Sequence, residues 1–296
     1  MKRKIHAIYD IILKMIIMEY SNDFLKFIGI EKSIKKVLKT KFITKKGRKL
    51  YLDFLCELED GTLLNIEFQF TDPDSEDLNR FYDYNIFSQT EYDELCETII
   101  ISFKTSMYGQ KSHKIGKTKT IHPLFFYLGD IDFKEKLNTI ENKVENSINL
   151  TNIDEISLLL MCLVPKYKNK QEILEKICTI CKNERLFNKT KTGIFKAVIG
   201  IEIENFVNEK SKQEKLLGEL NMTPKQEEMM YEAIDQAVKK SIQLESERQY
   251  NTGKKDGIKE GKKEDTVYVT GNTAIDALHT TVQKDYHPHQ LDWASD

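Results

Sequence analysis

The chain has 296 residues, 40% of them apolar, with 45 Lys and Arg set against 47 Asp and Glu. That length allows one large domain or a domain with appendages, and the apolar share is enough for a core. Five cysteines, Cys56, Cys96, Cys162, Cys178 and Cys181, are an odd number without a framework of spacings, which excludes a disulfide-built fold and suits a reducing cytoplasm.

In chain order, residues 6–28 carry apolar residues at helical spacing, interrupted by Asp10, Glu19 and Asp23. The apolar run near Ile11 to Met18 is broken by Lys14 and too short to span a bilayer, so neither a membrane partner nor a cleavable signal is expected. Asp10 stands four residues before Lys14, the spacing of a helix ion pair. Residues 31–50 then hold nine Lys or Arg against one Glu and read as a basic helix or loop. Lys45, Lys46 and Arg48 within it are candidates for contacts with the phosphates of DNA.

Two runs rich in Leu, Ile and Phe, near 49–57 and 62–71, flank Glu59-Asp60-Gly61 and predict a β-hairpin with Gly61 in the left-handed conformation. A three-residue loop sets Leu58 opposite Thr62. Leu55 then faces Asn65, Asp53 faces Glu67 and Tyr51 faces Gln69 on one side of the pleat, while Leu52, Phe54, Cys56 and Leu58 against Leu64, Ile66, Phe68 and Phe70 form an apolar side. Like charges directly opposed destabilise a sheet unless a cation or a raised pKa compensates, and a divalent ion held between Asp53 and Glu67 would satisfy both. The same alternation also suits a strand whose polar face is simply wet.

A turn at Thr71-Asp72-Pro73-Asp74-Ser75 leads into a helix over about 76–91, capped by Ser75, with Glu76 and Asp77 in its first turn. Strands are expected near 97–103 and 120–127, joined by the polar, basic loop SMYGQKSHKIGKTKT, and this succession fits a small mixed sheet with flanking helices. Residues 98–129 contain no acid. From Asp154 the text is helical, with SLLLMCLVP ending at Pro165, amphipathic helices over 169–186 and 190–219, and a new start at Thr223-Pro224. Cys178 and Cys181 form a single C-x-x-C without a second ligand pair and read as core residues. These helices allow repacking around the sheet or a homo-oligomer interface.

The text YLDFLCELEDGTLLNIEFQF, followed by RFYDYNIFSQ and the strand ETIIISF, resembles the PD-(D/E)XK nuclease superfamily, in particular its recombination-promoting, transposase-associated (Rpn-like) branch. The likeness covers roughly residues 6–264 and draws its specificity from 50–104. It implies a restriction-endonuclease-like α/β core and a Mg²⁺- or Mn²⁺-dependent DNA endonuclease. Asp53 and Glu67 would hold the metal, and Gln69 would stand where many relatives have a catalytic lysine. Arg80 and Tyr84 would occupy the recurrent Arg and Tyr places of the following helix, Arg80 clamping a phosphate oxygen. The superfamily often adds an acid from its leading helix, for which Glu19 is the candidate. Gln69 departs from the superfamily pattern, since Gln brings no positive charge to the transition state.

The expected organisation is thus a nuclease-like core over 1–150, a helical region over 151–245, a Gly- and charge-rich tail over 246–265, and a final segment over 266–296. That last segment, with VYVTGNTAIDAL and TTVQKDY, resembles an internal piece of the non-hydrolysing UDP-N-acetylglucosamine 2-epimerases and reads as a fusion. Its His279, His287 and His289 are explained by inheritance rather than by a metal cluster. Three functions follow as alternatives: a metal-dependent nuclease, a DNA-binding or interaction protein on a decayed nuclease fold, and an epimerase relative by the terminal segment alone.

Overall fold

The computed structural model describes residues 2–43, 49–71, 73–106, 113–115, 119–121 and 123–239. The chain divides into two units, Met1–Ser241 and Ile242–Asp296. The second unit, and with it the expected tail and epimerase-like segment, lies outside the described residues, as do Lys45, Lys46 and Arg48.

The first unit is a mixed α/β fold around a five-stranded sheet. Helix α1 (Lys2–Phe27) is followed by β1 (Ile34–Val37), β2 (Lys41–Ile43), β3 (Lys49–Tyr51), β4 (Phe54–Leu58) and β5 (Leu63–Gln69). Helix α2 (Ser75–Tyr92) crosses to β6 (Cys96–Ser102), and β7 (His113–Ile115), β8 (Lys119–Ile121) and β9 (Leu124–Tyr127) come next. The sheet order is β1-β4-β5-β6-β9, with β1 and β4 antiparallel to their neighbours and β5, β6 and β9 parallel. A parallel pair cannot be closed by a hairpin, and α2 is the crossover that joins β5 to β6.

The hairpin forms as its sequence dictates. Gly61 has φ 86°, the Leu58 N–H donates to the Thr62 carbonyl at 2.9 Å, and Leu55 pairs with Asn65 and Phe54 with Ile66. The preceding strand is not continuous over 49–57, however. The Leu52 N–H bonds to the Thr40 carbonyl at 2.9 Å and draws residues 49–51 onto β2, so Tyr51 faces Lys41 and not Gln69. The segment expected as a basic helix or loop therefore contributes β1 and β2. β1 is an edge strand with lysines along its exposed positions, a common guard against unwanted strand pairing.

Three further local differences have physical causes. The cap of α2 is Asp74, not Ser75: its carboxylate accepts from the Glu76 and Asp77 N–H groups, and Asp77 returns the bond to the Asp74 N–H. The basic loop after β6 includes a β7–β8 hairpin. The helix expected over 190–219 is two, α6 (Thr192–Phe206) and α7 (Lys210–Leu220), because the Gln213 amide donates to the Val207 and Glu204 carbonyls and closes the end of α6.

The remaining helices are α3 (Phe133–Glu145), α4 (Asn152–Met161) and α5 (Lys170–Cys181), and residues 224–239 are also helical. Helix α3 went unforeseen in the sequence, though Asp132 caps it and Phe133, Leu137 and Ile140 recur on its buried side. The sheet separates two cores. On one face Phe54, Cys56, Leu64, Ile66, Phe68, Ile99 and Ile101 share a continuous core with α1 and the C-terminal helices. On the other, Leu55, Leu63 and Ile100 pack with Leu78, Phe81 and Tyr84 of α2 and with Phe42, Leu50 and Leu52, the last of which leaves the Phe54 side expected for it because the strand breaks at residue 52 and its N–H bonds to Thr40. Cys178 and Cys181 are free and belong to the larger core, where burial pushes the Cys178 thiol up to about 12.

Candidate active site

Asp53 stands at the step between β3 and β4, one position before the Phe54–Ile66 pair, which sets it across from Glu67. The Phe68 N–H donates to Asp53 Oδ2 at 3.0 Å, and the Asp53 N–H is directed at Glu67 Oε1 at 3.4 Å. Each acid is thus anchored by the backbone of the strand that carries the other. The expected convergence of Asp53 and Glu67 is present.

The polar stripe is not a wet face. Asn65, Glu67 and Gln69 are 0%, 3% and 6% exposed. Every residue of β5 is buried, because β5 lies between β4 and β6 and is covered on its polar side by α2. Burial pushes the Glu67 carboxyl well above the usual carboxylate range, and the neighbouring Asp53 charge pushes the same way, against the opposing influence of Arg80 and the Asp53 N–H. The Asn65 side chain, itself fully buried, lies within reach of the Glu67 carboxylate and acts with those two against the rise.

Helix α2 supplies the cover. Gln69 Nε2 donates to Asp77 Oδ2 at 2.9 Å and to Thr71 Oγ1 at 3.3 Å, and Arg80 pairs with Asp77 Oδ1 at 3.0 Å. Gln69, Asp77 and Arg80 therefore form one polar chain from the end of β5 to the first turn of α2. The Arg80 side chain remains 41% exposed, open to an anion from solvent. Tyr84 is buried on the same helix and hydrogen-bonded to the Tyr51 backbone, and burial followed by the Glu67 charge pushes its phenol up to about 12.

Helix α1 reaches the site from the other side. Lys14 Nζ lies 3.2 Å from Asp10 and 3.7 Å from Asp53 Oδ1. Burial lowers the Lys14 pKa, but Asp10 and Asp53 outweigh it and the net shift is upward. The helix pair foreseen between Asp10 and Lys14 is present, while its extension to Asp53 was not foreseen. Asp10, not Glu19, is the α1 acid linked to the site. Glu19 lies nine residues further on, about 13 Å along a helix, and acts electrostatically on Tyr20.

Carboxylates such as Asp53 and Glu67 are the ligands a hard divalent ion takes, often as a pair completed by water and substrate phosphate. Among the described residues no group of three or more His, Cys, Asp or Glu comes together. A cavity of about 350 Å³ lies elsewhere, lined by Phe81, Tyr82, Asn85, Thr98 and Leu124 near the start of β6, and neither acid lines it. Asp77 and Lys14 escaped the sequence reading. Their one signal was charge: an Asp in a helix's first turn, and an Asp–Lys pair set among the apolar residues of α1.

Among the described residues no helix is long and apolar enough to cross a membrane. No family model matches the chain and no solved structure matches it. Over 32 residues, 10% of its length, the chain is 66% identical to the UDP-N-acetylglucosamine 2-epimerase of Bacillus subtilis (strain 168), and the match spans 8% of that enzyme.

Proposed function

We propose that the chain is a Mg²⁺- or Mn²⁺-dependent endonuclease hydrolysing phosphodiester bonds in DNA, the activity implied by its resemblance to the recombination-promoting branch of the PD-(D/E)XK superfamily. One observation supports this most: two carboxylates from adjacent strands converge in a largely buried polar stripe, each held by the other strand's backbone. A surface pair would carry no such argument. Two carboxylates opposed at this range, with burial and the Asp53 charge raising the Glu67 carboxyl, are a setting that a bound cation would relieve.

Asp53 and Glu67 would hold the ion, which when bound supplies Lewis-acid charge at the scissile phosphate and acidifies a water. The chain's own groups then orient and hold. Gln69, fixed by Asp77, presents its amide at the end of β5, and Arg80 offers its exposed guanidinium to a phosphate oxygen. Water adds to phosphorus, the bond to the leaving sugar oxygen breaks, and that oxygen takes up a proton. The buried Tyr84 supports the cover rather than the substrate.

A supercoiled-plasmid nicking assay with Mg²⁺ tests the reading. Wild type is expected to nick, and Asp53→Ala and Glu67→Ala to lose the activity. Both variants nicking as fast as wild type would sink the site.

A second reading draws on the engagement of the Gln69 amide by Asp77 and of Asp53 by Lys14: a fold of this kind that binds DNA without cutting it. Mobility-shift binding by a chain that never nicks would favour it. The 32-residue epimerase match supports a fused fragment rather than epimerase activity, since about 8% of an enzyme cannot rebuild a two-domain site. Turnover of UDP-N-acetylglucosamine would be needed to argue otherwise. A cytoplasmic setting and a homo-oligomer through the C-terminal helices belong to the same proposal, the latter checked by light scattering.

A further inference from the structure

The proposed site lacks a positive charge on the strand that carries Glu67. Gln69 is neutral, and its amide nitrogen is already engaged by Asp77 and Thr71. Arg80 is also neutralised in part, at 3.0 Å from Asp77. Lys14 comes closest to Asp53 among the described cations: its ammonium lies 3.7 Å from Asp53 Oδ1 and is held on the other side by Asp10 at 3.2 Å.

Several features argue that this is more than a helix ion pair. Asp10 is 7% exposed, so the group that steers Lys14 is fixed in the core of the fold. Lys14 itself keeps 35% of its side-chain surface exposed, so the ammonium is accessible to a ligand arriving from solvent. The flanking Leu13 and Ile17 are fully buried, which pins the helix and hence the root of the lysine. A flexible four-carbon arm on a rigid base can transfer its charge from one oxygen to another a few ångströms away.

Resting on the nuclease reading above, we propose that Lys14 of α1 provides the positive charge that Gln69 cannot: steered by Asp10, it occupies Asp53 in the metal-free chain and contacts the scissile phosphate of bound DNA. Asp10 is then a positioning residue. The same lysine has two consequences of opposite sign. It competes with a divalent ion for Asp53, and it stabilises the charge that develops on the phosphate.

The full-length chain carries the test, with Lys14→Met, Lys14→Gln, Lys14→Arg and Asp53→Ala compared with wild type. Mg²⁺ binding is read without DNA, from the rise in unfolding temperature with Mg²⁺ concentration. Nicking is read separately at saturating Mg²⁺. Lys14→Met and Lys14→Gln are expected to bind Mg²⁺ several-fold more tightly while kcat for nicking falls by about 10²-fold, the scale for losing one charge-stabilising donor. Lys14→Arg should restore part of the rate. Lys14→Gln keeps a polar group beside Asp10 and guards against a Lys14→Met chain that fails to fold.

A Lys14→Gln chain that nicks at the wild-type rate, while Asp53→Ala is inactive, overturns this inference and leaves the nuclease reading standing. Tighter Mg²⁺ binding with faster nicking would make Lys14 a mere counter-ion and overturns it too. A wild-type chain that does not nick, or Asp53→Ala nicking at the wild-type rate, removes the nuclease reading itself and the inference with it.

Discussion

Gln69 on β5 and Asp77 on α2 are joined by a 2.9 Å hydrogen bond, and the same Asp77 accepts from the Asp74 N–H and pairs with Arg80. One carboxylate thus closes the helix start, fixes the site amide and steers the exposed guanidinium. Asp77→Ala is expected to cost about 1–2 kcal/mol through the lost cap and the orphaned amide. It should lower nicking more than Asp74→Ala, which touches the cap alone. Urea unfolding beside the plasmid assay checks both; equal rates in the two variants would show that Gln69 needs no orientation.

Glu67 gives a pH dependence with a definite sign. Its carboxyl is raised well above 4.5 by burial and by Asp53, so between 4.5 and that raised value the folded chain retains a proton that the unfolded chain has lost. Metal-free stability therefore falls as pH rises through this window. A divalent ion needs the deprotonated ligand, so Mg²⁺ binding should strengthen with rising pH and release a proton. Calorimetric titrations in two buffers of different ionisation enthalpy measure that proton; identical apparent enthalpies would show that none is released.

Glu202 of α6 is a second buried carboxylate, remote from the proposed chemistry. It is 0% exposed and lies beside the Cys162 thiol and the Lys170 ammonium. Burial raises its pKa well above 4.5, with the Lys170 ammonium and the Cys162 thiol acting the other way. Glu202→Gln should match wild-type stability near pH 4 and exceed it increasingly as pH rises, because the variant never has to hold a buried charge. Denaturant midpoints over a pH series give the result, and a gap that stays constant with pH would refute the account.

Cys178 and Cys181 should behave as packed side chains. Both thiols are raised by burial, so neither reacts quickly with a thiol reagent until the chain unfolds. Cys181→Ala is expected to cost about 1 kcal/mol or slightly more, in line with removing a small buried group, and to leave zinc content unchanged. Metal analysis of the purified chain together with reagent kinetics decides it.

The hairpin was legible because its determinants are local: a glycine able to take positive φ, and two runs whose alternation fixes which residues oppose. Leu55 opposite Asn65 and the meeting of Asp53 with Glu67 follow from that alone. The covering of the stripe was not legible, because alternation is the same whether the polar face meets water or a helix. Only the parallel partner β6, paired from 33 residues further along the chain, and the way it brings α2 back over β5 decide that. Tyr51 was misplaced for a related reason, since β2 competes for β3 through a contact outside the hairpin. Lys14 and Asp77 were hidden because local roles, a pair with Asp10 and a place in the first turn of α2, already accounted for their charge.

The crossover from β5 to β6 also orders events in time. β4 and β5 are joined by four residues and can meet early, whereas the stripe can be sealed only once α2 and β6 have docked. A Glu67 not yet covered by α2 would keep ordinary carboxylate acidity, whereas the covered carboxyl holds its proton more tightly. At a pH above 4.5 but below the sealed value, proton uptake should accompany the final docking of the lid helix and not the first collapse. A pH-indicator dye followed alongside fluorescence during refolding would then see acidity change last.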